Sequence, residues 1–153
     1  MAERGQTVEN AATGERVTFV RTAAETDGEL LELELVWPRE GLRAPEHVHP
    51  EMEERYEVLE GTAAFRIGGE ERSGRPGDVI SVPPGTPHLA WNPTSAPVRL
   101  RVEFRPALRW AEFVERLFAL MPATGAPDRA ELAALMREFR REIAPAKRPQ
   151  RDS

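Results

Sequence analysis

The chain has 153 residues, a formal net charge of −5 and no cysteine. This length suits one domain with its own core, and the lack of thiols excludes disulfides and thiolate ligands. The acidic balance argues against a nucleic-acid-binding face, no stretch approaches the ~18 apolar residues of a membrane span, and the N-terminal region lacks the apolar core of a secretory signal. We therefore expect a cytoplasmic protein that binds neither nucleic acid nor membrane.

The first two-thirds of the chain predicts short strands. Residues 14–20 and 31–37 lie on either side of Asp27-Gly28, which is a hairpin turn signal. Positions 31, 33, 35 and 37 are apolar and alternate with Glu32 and Glu34, the period of two typical of a half-buried strand. Further strands are predicted at residues 54–59, 63–67, 78–82, 88–91 and 98–105. Many short strands separated by turn signals indicate an all-β sandwich or barrel.

A first block of chemistry-bearing residues lies between Gly41 and Gly61, with the spacing G-x5-H-x-H-x4-E-x6-G. Residues two apart on a strand point to the same side of a sheet, so His47 and His49 are expected to face one interior. The same alternation carries Tyr56 inward from Glu54. The adjacent Glu53 is an alternative to Glu54 as the acidic residue of this block. Glu54 is preferred because it lies on the same face of the strand as the inward apolar positions.

A second block runs from Gly77 to Asn92, with the spacing G-x5-P-x-G-x2-H-x3-N, and it holds His88. A lone histidine is most often a hydrogen-bonded core or surface residue, and a Pro-Gly cluster most often marks only a turn. Here the two blocks contain all three histidines of the chain. Three imidazoles and one carboxylate suit a divalent metal from Mn to Zn and leave coordination positions open.

From residue 107 the apolar period changes from two to 3.6, which predicts two amphipathic helices. The first stripe is Trp110, Phe113, Val114, Leu117, Phe118 and Met121, and the second is Leu132, Leu135, Met136, Phe139 and Ile143. Asp128 with Glu131 three residues later predicts a capping box. The helices are expected to pack on their own domain, with a dimer interface or a lid as alternatives. The polar stretch 145–153 is expected to be disordered.

Together the two blocks resemble the motif pair of the cupin superfamily, and the resemblance covers roughly residues 14–105. It implies a small jelly roll, or double-stranded β-helix, with the metal inside the barrel and two helices after it. The implied ligands are His47, His49, Glu54 and His88, for Fe, Mn, Ni, Cu or Zn. We predict a barrel domain at residues 1–106, a helical extension at 107–144 and a tail at 145–153.

Cupins are similar in site and diverse in use, so fold alone does not decide function. The first hypothesis is a dioxygenase-like oxygenase that acts on a small enolisable or phenolic substrate, with Tyr56 as a candidate catalytic residue. The second is a small-molecule-binding or sensory module without turnover. A metal-dependent isomerase or lyase is the third, and the sequence offers no further histidine as its base. A homodimer is expected.

Overall fold

The computed structural model describes residues 2–41 and 44–146, and this part of the chain folds into two antiparallel sheets followed by two helices. The strands are Thr7–Glu9 (β1), Arg16–Arg21 (β2), Leu31–Trp37 (β3), His47–Val48 (β4), Glu53–Glu60 (β5), Ala63–Ile67 (β6), Glu70–Gly74 (β7), Val79–Val82 (β8), His88–Trp91 (β9), Val98–Arg105 (β10) and Ala144–Pro145 (β11). The helices are Trp110–Leu120 (α1) and Arg129–Glu138 (α2).

One sheet has the strand order β1-β2-β3-β10-β5-β8 and the other has the order β11-β4-β9-β6-β7. Alternating side chains of both sheets meet in one core, which includes Phe19, Leu33, Phe65 and Val102. Along β10 the alternation is complete, because Val98, Leu100, Val102 and Phe104 are buried and the residues between them are more exposed. The predicted all-β architecture with a two-helix extension is therefore confirmed.

Polar strands and the first connection are where the sequence-based prediction differs from the structure. The strands β1 and β7 were not predicted from the sequence. The β7 sequence, EERSG, has no apolar alternation, and only its last residue is buried. Asp27-Gly28 does not form a two-residue hairpin turn. A short 3-10 helix, Ala24–Thr26, precedes it, and both Asp27 (φ 54°) and Gly28 (φ 81°) adopt left-handed backbone conformations.

Helix α1 packs on the barrel core through Val114 and Phe118, and Phe113 joins Leu135 and Phe139 in a smaller cluster between the helices. Helix α2 begins as predicted, because the Asp128 side chain accepts a hydrogen bond from the Glu131 backbone N–H at 2.9 Å. Its predicted extent to Ile143 is wrong, since the helix ends at Glu138.

After α2 the chain turns back onto the barrel. The backbone N–H groups of Glu142 and Ile143 both donate to the carbonyl oxygen of Phe139, and β11 then pairs with β4. Pro145, the first residue of the predicted tail, lies opposite His47 in this pairing, whereas residues 147–153 lie outside the described part. Among the described residues, no helix is long and apolar enough to cross a membrane.

Candidate metal centre

The three histidines come together at one point of the barrel. His47 in β4 lies directly opposite His88 in β9, and His49 follows β4 by one residue. Their ring centroids are 4.5 to 5.0 Å apart, and one nitrogen from each ring lies within 4.8 Å of the others. The closeness of the three rings agrees with the spacing of the two sequence blocks, because the period-two alternation places His47 and His49 on one face.

The Nδ1 atom of each of the three rings contacts a backbone carbonyl oxygen. The Nδ1 atoms of His47, His49 and His88 lie 2.9, 2.8 and 2.8 Å from the backbone carbonyl oxygens of Pro45, Glu142 and Thr86. A carbonyl oxygen can only accept, so Nδ1 carries the proton in each ring. In a neutral imidazole this leaves the Nε2 lone pair free, which is how proteins commonly orient metal-binding histidines.

Glu54 completes the cluster and shows that it fits a cation. Its Oε2 lies 3.1 Å from Nε2 of His49 and 3.7 Å from Nε2 of His88. With Nδ1 protonated on a neutral ring, a lone pair of His49 faces a carboxylate, so only a proton or a metal ion between them makes the contact favourable. Within the described part of the chain, the buried Nε2 of His88 has no hydrogen-bond partner. This orphaned acceptor fits a ligand to a metal ion.

The electrostatics of the cluster keep His47 neutral and Glu54 ionised, whereas they favour the protonated form of His88. Burial, together with the neighbouring imidazoles, lowers the pKa of His47 to about 4, so this ring is neutral, as a ligand must be. Burial alone raises the pKa of Glu54, but His49 and His88 outweigh it and hold the pKa well below its usual value. Burial lowers the pKa of His88, but the Glu54 carboxylate and the Thr86 carbonyl outweigh it and raise the pKa.

The neighbouring carboxylates differ from Glu54 in exposure. Glu54 is 4% exposed, whereas Glu53 and Glu51 are exposed. Both side-chain oxygens of Glu51 accept hydrogen bonds from Arg141, each at 2.9 Å. The geometry thus favours Glu54 over Glu53 as the fourth member of the cluster.

The cluster opens onto a cavity of about 660 Å³, which His47, Glu54 and Tyr56 line from the barrel side. Most of its other walls are apolar, and helix α1 contributes Trp110, Phe113, Val114, Leu117 and Phe118. A volume of this size suits a drug-sized ligand. Burial and the Glu54 carboxylate raise the pKa of Tyr56 well above its ordinary value, so its hydroxyl keeps its proton.

Sequence reasoning missed three contributors to this site. The backbone carbonyl of Glu142 orients His49 from 93 residues away, and no side-chain pattern signals a backbone contact. Trp110 places its ring edge-on against His49, with centroids 4.9 Å apart. Glu15 also lines the cavity. Its position two residues before the inward-facing Val17 is a signal that could have identified it.

Comparison with known proteins agrees with the motifs and the architecture. Residues 33–104 match the family model for the cupin domain. Among solved structures, an RmlC-like cupin from Shewanella frigidimarina NCIMB 400 is similar with a TM-score of 0.59 and 21% identity, over 72% of this chain and 94% of that one. Over residues 33–104 the chain thus resembles the cupin domain, and its fold is shared with the solved cupin.

Two enzymes are similar over smaller parts of their length. Quercetin 2,3-dioxygenase of Bacillus subtilis (strain 168) is 33% identical over 75 residues, which make up 49% of this chain and only 22% of that enzyme. Oxalate oxidase in complex with glycolate has a TM-score of 0.55 and 22% identity, over 70% of this chain and 59% of that one. The structural similarities, at these identities, show a shared fold.

Proposed function

We propose that this protein is a metal-dependent oxygenase that holds a divalent transition metal through His47, His49, Glu54 and His88. The observation that carries the proposal is the shared contact of each Nδ1 with a backbone carbonyl, which leaves the three Nε2 atoms free in a cluster of rings, with those of His49 and His88 beside the buried Glu54 carboxylate. The substrate is a small enolisable or phenolic compound that reaches the site through the adjoining cavity.

The donor set of three nitrogens and one oxygen tolerates Fe, Mn, Ni, Cu or Zn. When bound, such an ion supplies Lewis acidity and open positions that can orient substrate, and a redox-active one supports oxygen chemistry. The surrounding residues would orient the ligands. Backbone carbonyls fix each imidazole, and the rings of Phe104 and Trp110 contact His49 on its apolar side.

The cavity residues would bind and position the substrate. Its apolar walls exclude water, which strengthens the few polar contacts inside. We propose that Tyr56 donates a hydrogen bond to a substrate oxygen, since its hydroxyl stays protonated and it lines the cavity with Glu54. Packing against Phe65, at 5.0 Å between centroids, holds the Tyr56 ring in place.

Oxygenase chemistry is favoured over the alternatives by the similarity to quercetin 2,3-dioxygenase, whose matched segment is 49% of this chain. An apolar cavity with a metal site would also serve a binding module that carries out no reaction, and this is the second candidate. The homodimer and the cytoplasmic location expected from the sequence stay predictions.

Oxygen consumption tests the proposal. The full chain is loaded separately with Fe(II), Ni(II), Cu(II) or Zn(II) and mixed with flavonols or 1,3-diketones in an oxygen electrode. We expect uptake with at least one redox-active ion and none with Zn(II). His49→Ala should abolish it, and Glu53→Ala, on the exposed side of the same motif, should not.

The same compounds are also tested in thermal melts. If the electrode records no uptake across the panel while some compounds raise the melting temperature, the binding module replaces the oxygenase. If metal does not bind at all, the oxygenase loses its basis, and the binding module then rests on the thermal melts alone.

A further inference from the structure

Glu15 occupies an inward-facing position that the proposed metal site does not use. It directly precedes β2, whose inward residues Val17 and Phe19 are 1% and 0% exposed, and the period of two gives Glu15 the same direction. Its side chain lines the cavity together with Glu54 and Tyr56. Asn10 and Thr13 line the cavity beside it, and most of the remaining wall is apolar. A carboxyl group in such surroundings is costly unless it is hydrogen-bonded or has a ligand to bind.

Only one oxygen of this carboxyl group has a partner among the described residues. The indole Nε1–H of Trp37 donates to Oε2 at 2.5 Å. Among the described residues no hydrogen bond is seen to Oε1, and the side chain, which is partly exposed, lines the cavity. The preceding loop is well ordered by hydrogen bonds, because the Asn10 N–H donates to the Glu15 carbonyl at 2.8 Å and the Glu15 N–H donates to Thr13 Oγ1 at 3.1 Å.

Strand register separates Glu15 from the metal centre. Glu54 lies opposite Phe104, and Phe104 lies opposite Leu31 at the start of β3. Trp37, which binds Glu15, is at the other end of that strand, about 20 Å farther along it. The cavity thus has Glu54 on one side and Glu15 on the other, and Leu33, Leu35 and Tyr56 line it between them.

The protonation of Glu15 limits what it can bind. Burial raises the pKa of Glu15 to about 7, although the hydrogen bond from Trp37 opposes the shift. Near neutral pH the free oxygen therefore accepts a hydrogen bond in one protonation state and the carboxyl group donates one in the other. A hydroxyl group is the partner that suits both states, since it is a donor and an acceptor.

We propose that Glu15 is a second polar anchor in the cavity, which binds a hydroxyl group on an apolar ring compound. The inference deepens the proposed function. It rests on that function only for the contacts that the compound makes with the metal site at one of its ends. It makes the preferred ligand a hydroxylated aromatic compound. A hydroxyl group at the end remote from the metal distinguishes it from other ligands.

Binding of matched ring compounds to the Zn(II)-loaded full chain tests this assignment without turnover. Trp37 and Trp110 line the cavity, so tryptophan fluorescence follows the titration. The probes are 2-naphthol, 2-methoxynaphthalene and naphthalene. Wild-type protein should bind the naphthol about tenfold more tightly than either of the others, as a hydrogen bond to a carboxyl group predicts. Glu15→Ala should reduce that preference to about twofold or less.

Three further variants make the result specific. Glu9→Ala, an exposed glutamate on the neighbouring β1, should keep the full preference. Glu15→Gln keeps an acceptor for Trp37 and should show an intermediate preference for the naphthol. This variant replaces Glu15→Ala if the alanine variant does not fold. His88→Ala shows whether the naphthol hydroxyl binds the metal instead.

Several results would overturn the assignment. These are equal binding of the three probes to wild type, no binding of any probe, or a preference that persists in both Glu15 variants. A preference lost only in His88→Ala would place the hydroxyl at the metal site. Oxygen uptake and probe binding are measured separately. Failure of the Glu15 assignment therefore does not contradict the proposed oxygenase. If no oxygen uptake is recorded, the binding test still decides the role of Glu15.

Discussion

The strands β4, β5 and β9 and the segment after Pro106 build the same site by different means. The strands and His49, which directly follows β4, supply the side-chain atoms that face one another, all from two short sequence motifs. The later segment supplies a backbone carbonyl on His49, a ring beside it and one wall of the cavity. Donor atoms are thus encoded locally, whereas their orientation and their surroundings come from distant parts of the chain.

This difference suggests how each region can be changed separately. Substitutions in the strands should remove the metal while the fold persists. Changes in the C-terminal segment should act through stability and through the geometry of His49. The following predictions separate these effects.

The largest expected effect follows truncation after Arg105. This change removes the buried side chains of Phe113 and Phe118, uncovers the apolar cavity wall and takes the Glu142 carbonyl from His49. Losing one buried phenylalanine side chain already costs about 3–5 kcal/mol, so the truncated chain should aggregate or melt far below wild type. Differential scanning calorimetry and sizing measure this. A soluble product with unchanged melting behaviour would show that the extension is dispensable.

Removal of one imidazole should have the next largest effect. His88→Ala deletes a proposed ligand with 1% exposure, and we expect the affinity for Zn(II) or Ni(II) to fall by more than the ~100-fold that loss of an outer partner can cause. Titration calorimetry and elemental analysis give the affinity and the stoichiometry. Glu53→Ala is the control and should bind one metal per chain. Stoichiometric metal in His88→Ala would contradict the ligand set.

Glu15 should give the protein a stability change that depends on pH. Its pKa is raised from 4.5 to about 7, so between these values the folded state holds a proton that the unfolded state has lost. Stability from this group is complete below pH 4.5, falls as pH rises to 7 and is constant above it. The free energy of unfolding of Glu15→Gln minus that of wild type should therefore rise by about 1–3 kcal/mol across this window.

Urea unfolding at several pH values between 4 and 9 measures that difference. Glu9→Gln, on an exposed strand residue, provides the comparison and should show no such rise. If Glu15→Gln and wild type differ by a constant amount at every pH, Glu15 does not have a raised pKa in the folded protein.

The smallest effect is expected for the ion pair that joins the two regions at the surface. Arg141 donates to both oxygens of Glu51, which lies two residues after His49. Exposed ion pairs contribute little, so Arg141→Ala should weaken metal binding only about two- to fivefold, through a looser Glu142 carbonyl. Arg140→Ala is the matched control, since within residues 2–41 and 44–146 its side chain hydrogen-bonds only to the carbonyl of Arg137. Equal affinities for the two variants would show that the pair does not support the site.

The sequence by itself determined the features that depend on short-range pattern. The apolar alternation defined β3 at residues 31–37, and the motif spacing identified the three histidines that cluster in the structure and the Glu54 carboxylate beside two of them. The Asp128 cap was equally visible. Each of these features follows from backbone periodicity or from a contact within a few residues, so nearby residues carry the information.

Only the tertiary structure decided the rest. Helix α2 ends at Glu138 because the chain turns there to pair β11 with β4, and the apolar Ile143 continues the helical pattern without being in the helix. The tautomer of His49 depends on a carbonyl 93 residues away. Glu15 became a cavity residue because β2 pairs with β3, which brings it to Trp37. Such contacts are set by how distant strands pair and pack, and backbone carbonyls carry no side-chain signature in the sequence.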